Sequence, residues 1–269
     1  MDQPELYRRI DLPAAAVEKL EAVAEQLDLT PLEPCLTGLQ DRSAAPGAYR
    51  RLKALLQEDK DHFQLLYCYL ECACRAFHAY REKHIPSDIY LDTMRCFPRF
   101  LQECEKATGR LAFDRGWWTF RQTSLSIFRL GALEYEFCAH EGKNALSIHI
   151  PSDADLSPAA VDRSLEQAQA FFSRYFPEYR AKAYVCNSWL LSPRLRPFLS
   201  PSSRIQSFQN RFRVLRENPE DTEFIQWLFQ LPEDTPFHLL PQDTSLQRQV
   251  RDLLLKGGAV GAVYAVLTR

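Results

Sequence analysis

Glycine is what this 269-residue sequence has least of where it would matter: there are 9, and Gly257, Gly258 and Gly261 lie close to the end. Loops that cradle phosphates need the close backbone approach that glycine allows, so such loops are disfavoured through most of the chain. No G-x-G-x-x-G, P-loop, G-x-S-x-G or H-E-x-x-H pattern occurs, which removes the dinucleotide fingerprint, the Walker cradle, the nucleophile elbow and the zincin metal site. No apolar run approaches the roughly 20 residues that span a bilayer. The opening MDQPELYRRIDLP lacks the apolar core of a signal peptide, and the expectation is a cytoplasmic protein. An excess of one charge is missing too. Lys+Arg total 33 against 35 Asp+Glu, a net charge of −2, so there is no general attraction to nucleic acid or to an anionic membrane. The eight cysteines form no CxxC pair and read as reduced thiols. Cys68 and Cys72 share a helix face with His78 beyond them, a conceivable zinc set, but small buried hydrophobes are the plainer reading. The six histidines show no metal-ligand spacing with carboxylates, so no metal is expected.

What is present is an ordinary globular composition, 46% hydrophobic and 25% charged, with its clearest pattern in residues 126–191. That stretch reads strand, strand, strand, helix, strand. SLSIFRL, ALEYEFCA and ALSIHIP precede the helical PAAVDRSLEQAQAFFSRYF and the strand AYVCNSWLL. A meander that ends in a β-α-β crossover makes 145–150 and 183–191 parallel neighbours, and ligands favour the carboxyl ends of such strands. Around Gly131 the pattern fits a tight turn or a bulge, and EGKN at 141–144 is a hairpin turn. Leu146, Ile148 and Ile150 face one side of their strand; Ser147 and His149 face the other. Ser157-Pro158 reads as an N-cap followed by proline at the first helical position, with Val161, Leu165, Ala168 and Phe172 on the buried stripe of the helix.

Residues 1–110 look all-helical. Pro13 opens a helix carrying Val17, Leu20, Val23, Ala24 and Leu27. A second runs from about 48 to 60, and a long one at 61–83 has Phe63, Leu66, Leu70, Cys74 and Phe77 in one stripe. Ser87 caps DIYLDTMRCF, Pro98 starts or kinks the next helix, and Gly109 ends the block. Trp117, Trp118 and Phe120 suit a wedge between the helical block and the sheet, with substrate stacking as the other use. After 192 come a proline-rich segment, an alternating strand with Phe212 and Val214 on one side, helices at DTEFIQWLFQL and TSLQRQVRDLLLKGG, and a closing strand, AVGAVYAVLTR. The arginines between 192 and 216 give a local positive bias, commonly a solvated surface.

ALEYEF, LSIHIP, SPAAVDRSLEQAQAFF and CNSWLL together resemble a GNAT-type acyltransferase domain. More specifically, the chain resembles an uncharacterised bacterial group with a helical N-terminal domain and a GNAT-like C-terminal domain. The resemblance implies an α+β fold, a helical domain at 1–110 and a GNAT-like mixed-sheet domain with flanking helices at 111–269. It implies acyl transfer from acetyl-CoA or another acyl-CoA to a small acceptor held between the two domains. In this reading Ile150 offers backbone groups to pantetheine, Ser152, Ser157 and Ala159 approach the diphosphate, and Asn187 lies on the facing strand. The chain departs from the GNAT pattern at 151–158, where PSDADLSP replaces the usual Arg/Gln-x-x-Gly-x-Gly/Ala. Asp153 and Asp155 would repel a diphosphate, and Pro158 removes a donor.

For the transfer chemistry, His149 is the first candidate base because its ordinary pKa lies near neutrality. A histidine hydrogen-bonded within the sheet is the structural alternative. Glu134 is the second candidate, either solvated or held in the cleft. Ser188 could protonate the leaving thiolate, or be a satisfied strand hydroxyl; Tyr184 or Tyr264 could replace it. The rival to an enzyme is a non-catalytic binding or assembly module that has lost coenzyme A.

Overall fold

The computed structural model describes residues 1–56, 58–180 and 183–268. Part of the helix expected at 48–60, at Gln57, and the last residue of the closing segment, Arg269, lie outside them. The chain divides into two compact units, Met1–Arg129 and Leu130–Arg269.

Among the described residues the first unit is built from eight α-helices: α1 (Gln3–Arg9), α2 (Ala14–Ala24), α3 (Glu33–Leu39), α4 (Ala45–Leu55), α5 (Phe63–Glu82), α6 (Ser87–Met94), α7 (Cys96–Thr108) and α8 (Gly116–Thr123). α5 is the axis, packed against α1, α2, α3, α6 and α8. It buries Leu65, Cys68, Tyr69, Cys72, Ala73, Ala76 and Tyr80 as well as most of the expected stripe, so it is covered on most of its circumference rather than along one face. Its N-terminus is capped from a distance: the Asp59 carboxylate accepts from Gln64 N at 3.1 Å and Leu65 N at 2.8 Å. Those two bonds satisfy donors that His62, in the left-handed region at φ 59°, leaves open. α1 and α3 are elements that periodicity missed, because each is only two turns long. Ser87 is the first helical residue of α6, and Pro86 holds the cap position. Gly109, at φ 69°, ends α7.

The first unit runs past the boundary expected at 110 because α8 packs on α4 and α5. Its aromatic residues are not its buried face. Gly116, Thr119, Gln122 and Thr123 are buried, while Trp117 is 43% exposed. The approach to α5 is close: a Cβ at Gly116 would lie 2.6 Å from Leu65 Cδ2, which would have to shift, and Tyr69 donates its hydroxyl to the Gly116 carbonyl at 2.6 Å.

A six-stranded sheet follows along the chain: β1 (Ile127–Leu130), β2 (Leu133–His140), β3 (Lys143–His149), β4 (Ala183–Ser188), β5 (Phe212–Asn218) and β6 (Ala262–Leu267), in the order β1-β2-β3-β4-β6-β5. Its helices are α9 (Pro158–Tyr175), α10 (Arg204–Gln209), α11 (Phe224–Leu228) and α12 (Ser245–Leu255). Gly131, at φ 66°, makes the β1–β2 turn, and Glu141 and Gly142, at φ 51° and 72°, make a tight β2–β3 hairpin turn. α9 packs on the sheet through Phe172, which meets Tyr135 and Phe137 ring to ring at 6.3 and 5.6 Å. Of the stripe expected on α9, Leu165 is only half-buried and Ser164 is fully buried in its stead. β5 lies at the sheet edge, and Val214 there is 42% exposed rather than packed beneath the sheet. A second small core gathers Leu195, Phe224, Ile225, Phe229, Leu240 and Val250. α12 reaches it behind a capping box of Thr244 and Gln247.

Ser164 is the polar pin of this packing. Its hydroxyl donates to the Leu130 carbonyl, accepts from Leu133 N at 3.2 Å and sits 2.9 Å from the Tyr135 hydroxyl. Ser164→Ala should cost about 1–3 kcal/mol, since it orphans buried backbone groups. Urea unfolding monitored by circular dichroism measures this, and an unchanged midpoint would show that the three contacts contribute nothing net.

Candidate functional site

Alternation along β2 and β3 separates two chemistries. Tyr135, Phe137, Leu146 and Ile148 point to the α9 side, as the ring contacts and registers Tyr135↔Ile148 and Phe137↔Leu146 require. The opposite face therefore receives Glu134, Glu136, Cys138 and His140 from β2 and Ser147 and His149 from β3. Burial pushes the Cys138 thiol on this face up to about 11.

His149 is paired on this face. Its Nε2 lies 2.9 Å from Glu136 Oε2, with both side chains mostly covered. Glu136 stands opposite Ser147, so the pair is diagonal in the ladder, a separation that two long side chains bridge. Glu134 stands directly across from His149 and is 4% exposed, so it is not a solvated residue. With Nε2–H donated to the carboxylate, the lone pair of the ring lies on Nδ1. A His held this way is an oriented base. Glu136 was not singled out in the sequence; its signal was its place two residues from Glu134 on the same strand face.

β3 and β4 are parallel, with Ala145↔Ala183, Leu146↔Tyr184 and Ser147↔Val185 in register. The ladder stops there, although β3 continues to His149 and β4 to Ser188. The strands thus part at their carboxyl ends, and Ile150, half-buried, follows directly on β3. Asn187 is exposed at the same opening and opposite Tyr264 of β6. Tyr264 shares the face of His149: its hydroxyl lies 2.9 Å from His140 Nδ1, and Arg216 stacks 5.7 Å from its ring. Burial, then the neighbouring Cys138 thiol, raises the pKa of Tyr264.

Two expected residues lie elsewhere. Ser188, one position on from Asn187, projects to the opposite face, and its hydroxyl accepts from Leu190 N at 3.2 Å as the cap of a short 3-10 turn. Tyr184 is also on the α9 side, edge-on to Tyr135 at 6.0 Å. The period of two along β4 makes both placements unavoidable once Val185 and Asn187 share the face of His149.

The turn before α9 is folded on itself. Asp155 accepts from Ser157 N at 2.9 Å and from the Ser157 hydroxyl at 2.8 Å, and Arg204 pairs with it at 3.1 Å. Ser157 therefore holds the N-cap position without capping through its side chain. Pro158 has no N–H, and the N–H groups of Ala160 and Val161 are both bonded to the Ser157 carbonyl. The exposed Ala159 offers the first uncommitted N–H of this helix among the described residues. Ser152 and Asp153 are exposed. Arg211, bonded to Asp162 and to the Pro158 carbonyl at 3.3 Å, adds a second guanidinium beside Arg204.

The thiols of the first unit are buried, and burial pushes Cys68 and Cys74 up to about 12. Among the described residues no group of three or more His, Cys, Asp or Glu is arranged to hold a metal ion, and no helix is long and apolar enough to cross a membrane.

Residues 127–267 match the profile of the GNAT-like C-terminal domain, and residues 1–125 match that of the N-acyltransferase N-terminal domain. No curated protein matches the sequence significantly. Among solved structures, an acyltransferase in complex with decanoyl-CoA and teicoplanin shares the fold at a TM-score of 0.84 and 24% identity, over 98% of this chain and 86% of that one. A mutant acyltransferase in complex with octanoyl-CoA aligns at a TM-score of 0.85, with the same identity and coverage. An acyltransferase with CoA and 10C-teicoplanin aligns at 0.84.

The Ser157 N–H and hydroxyl, then Arg204, hold the Asp155 carboxyl below the ordinary aspartate range. A depressed carboxyl stabilises the folded turn above its unfolded pKa of about 3.9, and that contribution disappears as pH falls through the folded value. Carbon-13 titration of Asp155 should give a midpoint below that of an unstructured aspartate. Ser157→Ala should move it upward more than Arg204→Ala does; the reverse order would make the arginine the dominant partner.

Proposed function

The chain belongs to the family of GNAT-like C-terminal domains, and from that premise we propose that it transfers an acyl group from an acyl-CoA thioester to a small acceptor bearing an amine. The observation that carries this reading is the early end of the β3–β4 ladder at Ser147 and Val185. Backbone groups released from pairing can bond the amide-bearing pantetheine arm in the manner of an added strand. Ile150 and Asn187 stand at that opening. The diphosphate falls to Ser152, the Ala159 N–H and the guanidinium groups of Arg204 and Arg211, with the glycine cradle of other members replaced by side-chain charge. The solved relatives were crystallised with decanoyl-CoA, octanoyl-CoA and teicoplanin, which supports acyl-CoA as co-substrate here. The match of the first unit to an N-acyltransferase N-terminal domain supports an amine as the acceptor. Eight cysteines, none of them in a disulfide among the described residues, support a reducing, cytoplasmic setting.

In this mechanism His149 Nδ1 takes the proton from the acceptor nucleophile, directly or through water, while Glu136 holds the ring and stabilises the imidazolium. The nucleophile adds to the thioester carbonyl, the C–S bond breaks as the tetrahedral intermediate collapses, and the thiolate takes a proton. Tyr264 is the candidate donor, since it shares the face and its raised pKa keeps it protonated. Ser188 takes no part, being on the other face. Glu134 places a second carboxyl group across from His149.

A second reading keeps a specific support. At the start of α9 the N–H groups are absent or already bonded, apart from Ala159, as expected of a domain that has given up the coenzyme and serves as a binding module. Calorimetric titration with decanoyl-CoA and CoA separates the two. Micromolar binding is expected, and no heat at millimolar ligand would establish the binding module instead.

Thiol release from decanoyl-CoA against a panel of amines, with teicoplanin among them, reads the chemistry. His149→Ala should slow transfer by about 10²–10⁴ with coenzyme affinity intact. Glu136→Gln should lower kcat with little change in KM for the thioester. Unchanged rates in both would make the pair structural.

A further inference from the structure

The first unit contains a cavity of about 540 Å³ formed by α1, the Leu12–Ala24 stretch and α5. It belongs to the helical unit, and none of the residues used in the transfer mechanism lines it. Its volume is in the range of small-molecule sites. Its floor is apolar, with Leu12, Val17 and Leu20. Its polar wall is one connected chain. Tyr7 donates its hydroxyl to Gln3 Oε1, Gln3 Nε2 donates to Glu71 Oε2 at 3.3 Å, and Arg75 joins Glu71 at 2.9 Å to Glu33. Gln3 and Tyr7 are buried although they line the cavity.

The hydrogen directions in this chain decide what it can receive. The Tyr7 proton is committed to Gln3, and the Gln3 amide to Glu71 and Tyr67, so the Tyr7 and Glu71 oxygens face the cavity as acceptors. Glu21 adds a carboxylate, and Tyr67 an aromatic ring. Glu33, Arg75 and Glu71 together carry one net negative charge. Arg8 also lines the cavity, but it is exposed and its Nε donates to the Pro4 carbonyl at 3.4 Å. Burial first, then Tyr67 and Cys74, and after them Glu21 and Glu71, oppose ionisation of Tyr7, while burial and then Glu71 oppose that of Tyr67. The negative potential of these carboxylates therefore reaches the cavity lining. Acceptors, carboxylates and aromatic faces over an apolar floor are complementary to an ammonium group on an apolar body.

We propose that this cavity is a second binding site, separate from the sheet cleft, for a small organic cation with an apolar body. The proposal does not rest on acyl transfer.

Titration of the full chain with phenethylammonium and, separately, 3-phenylpropionate tests it, with amide chemical shifts as the readout. The two probes share an apolar body and differ in charge. The cation should bind, with shifts centred on Tyr7, Leu20 and Tyr67, and the carboxylate should bind at least tenfold more weakly. Ala24 lines the cavity at the end of α2 and is exposed, so Ala24→Trp should block binding while leaving the fold intact. Glu21→Gln, at an exposed position, should weaken the cation by about two- to fivefold, the scale of an exposed ion pair. Equal binding of both probes, binding of the carboxylate alone, no binding of either, or a cation affinity unchanged in Ala24→Trp would each overturn the proposal.

Discussion

The register of β2 against β3 is the constraint on which the sheet unit depends. With Tyr135 opposite Ile148 and Phe137 opposite Leu146, four apolar side chains lie toward α9, where Phe172 receives the two aromatic rings. A shift of one residue would turn those groups outward and bury Glu134, Glu136 and His149 under the helix. Burying several ionisable groups there without partners is far costlier than any loss at the hairpin. The polar face is thus a consequence of the apolar one. The two-residue hairpin through Glu141 and Gly142 and the Ser164 contacts to Leu130, Leu133 and Tyr135 hold the same register from either end.

From that register the site follows by geometry. Alternation puts Glu136 and His149 on one face, and diagonal spacing lets them meet at 2.9 Å. The parallel pairing of β3 with β4 carries the same phase across, which admits Asn187 and, through β6, Tyr264, and assigns Ser188 and Tyr184 to the other side. Where that ladder ends, backbone groups become available for a ligand. The turn at 151–157 responds to its missing glycines by closing on itself, with Asp155 bonded to Ser157 and Arg204. The feared repulsion of Asp155 is thereby neutralised, and its cost appears instead as spent backbone donors.

Much of the fold was legible in the sequence because long periodic segments bury long periodic faces. The three-strand meander, the crossover helix, the parallel pair and the long central helix all announced themselves through spacing. Short elements did not. α1 and α3 are too brief for periodicity to show, and α8 was misleading because its large aromatics draw attention while its buried residues are Gly116, Thr119, Gln122 and Thr123. Ser164 was invisible for the same reason: its position in the core is set by three partners distant in sequence.

By itself, the sequence determined the order of elements, the phase of each strand and the absence of a glycine cradle, since these depend on neighbours along the chain. It placed His149 and Ser147 on one face of their strand and Leu146 and Ile148 on the other. Tertiary structure alone decided that Glu136 is the partner of His149, that Glu134 is buried and that Ser188 is a cap. It decided too that Gln3, Tyr7 and Glu71 form one chain beside a cavity. Such pairings depend on register between strands and on distances across helices, quantities that local spacing does not contain.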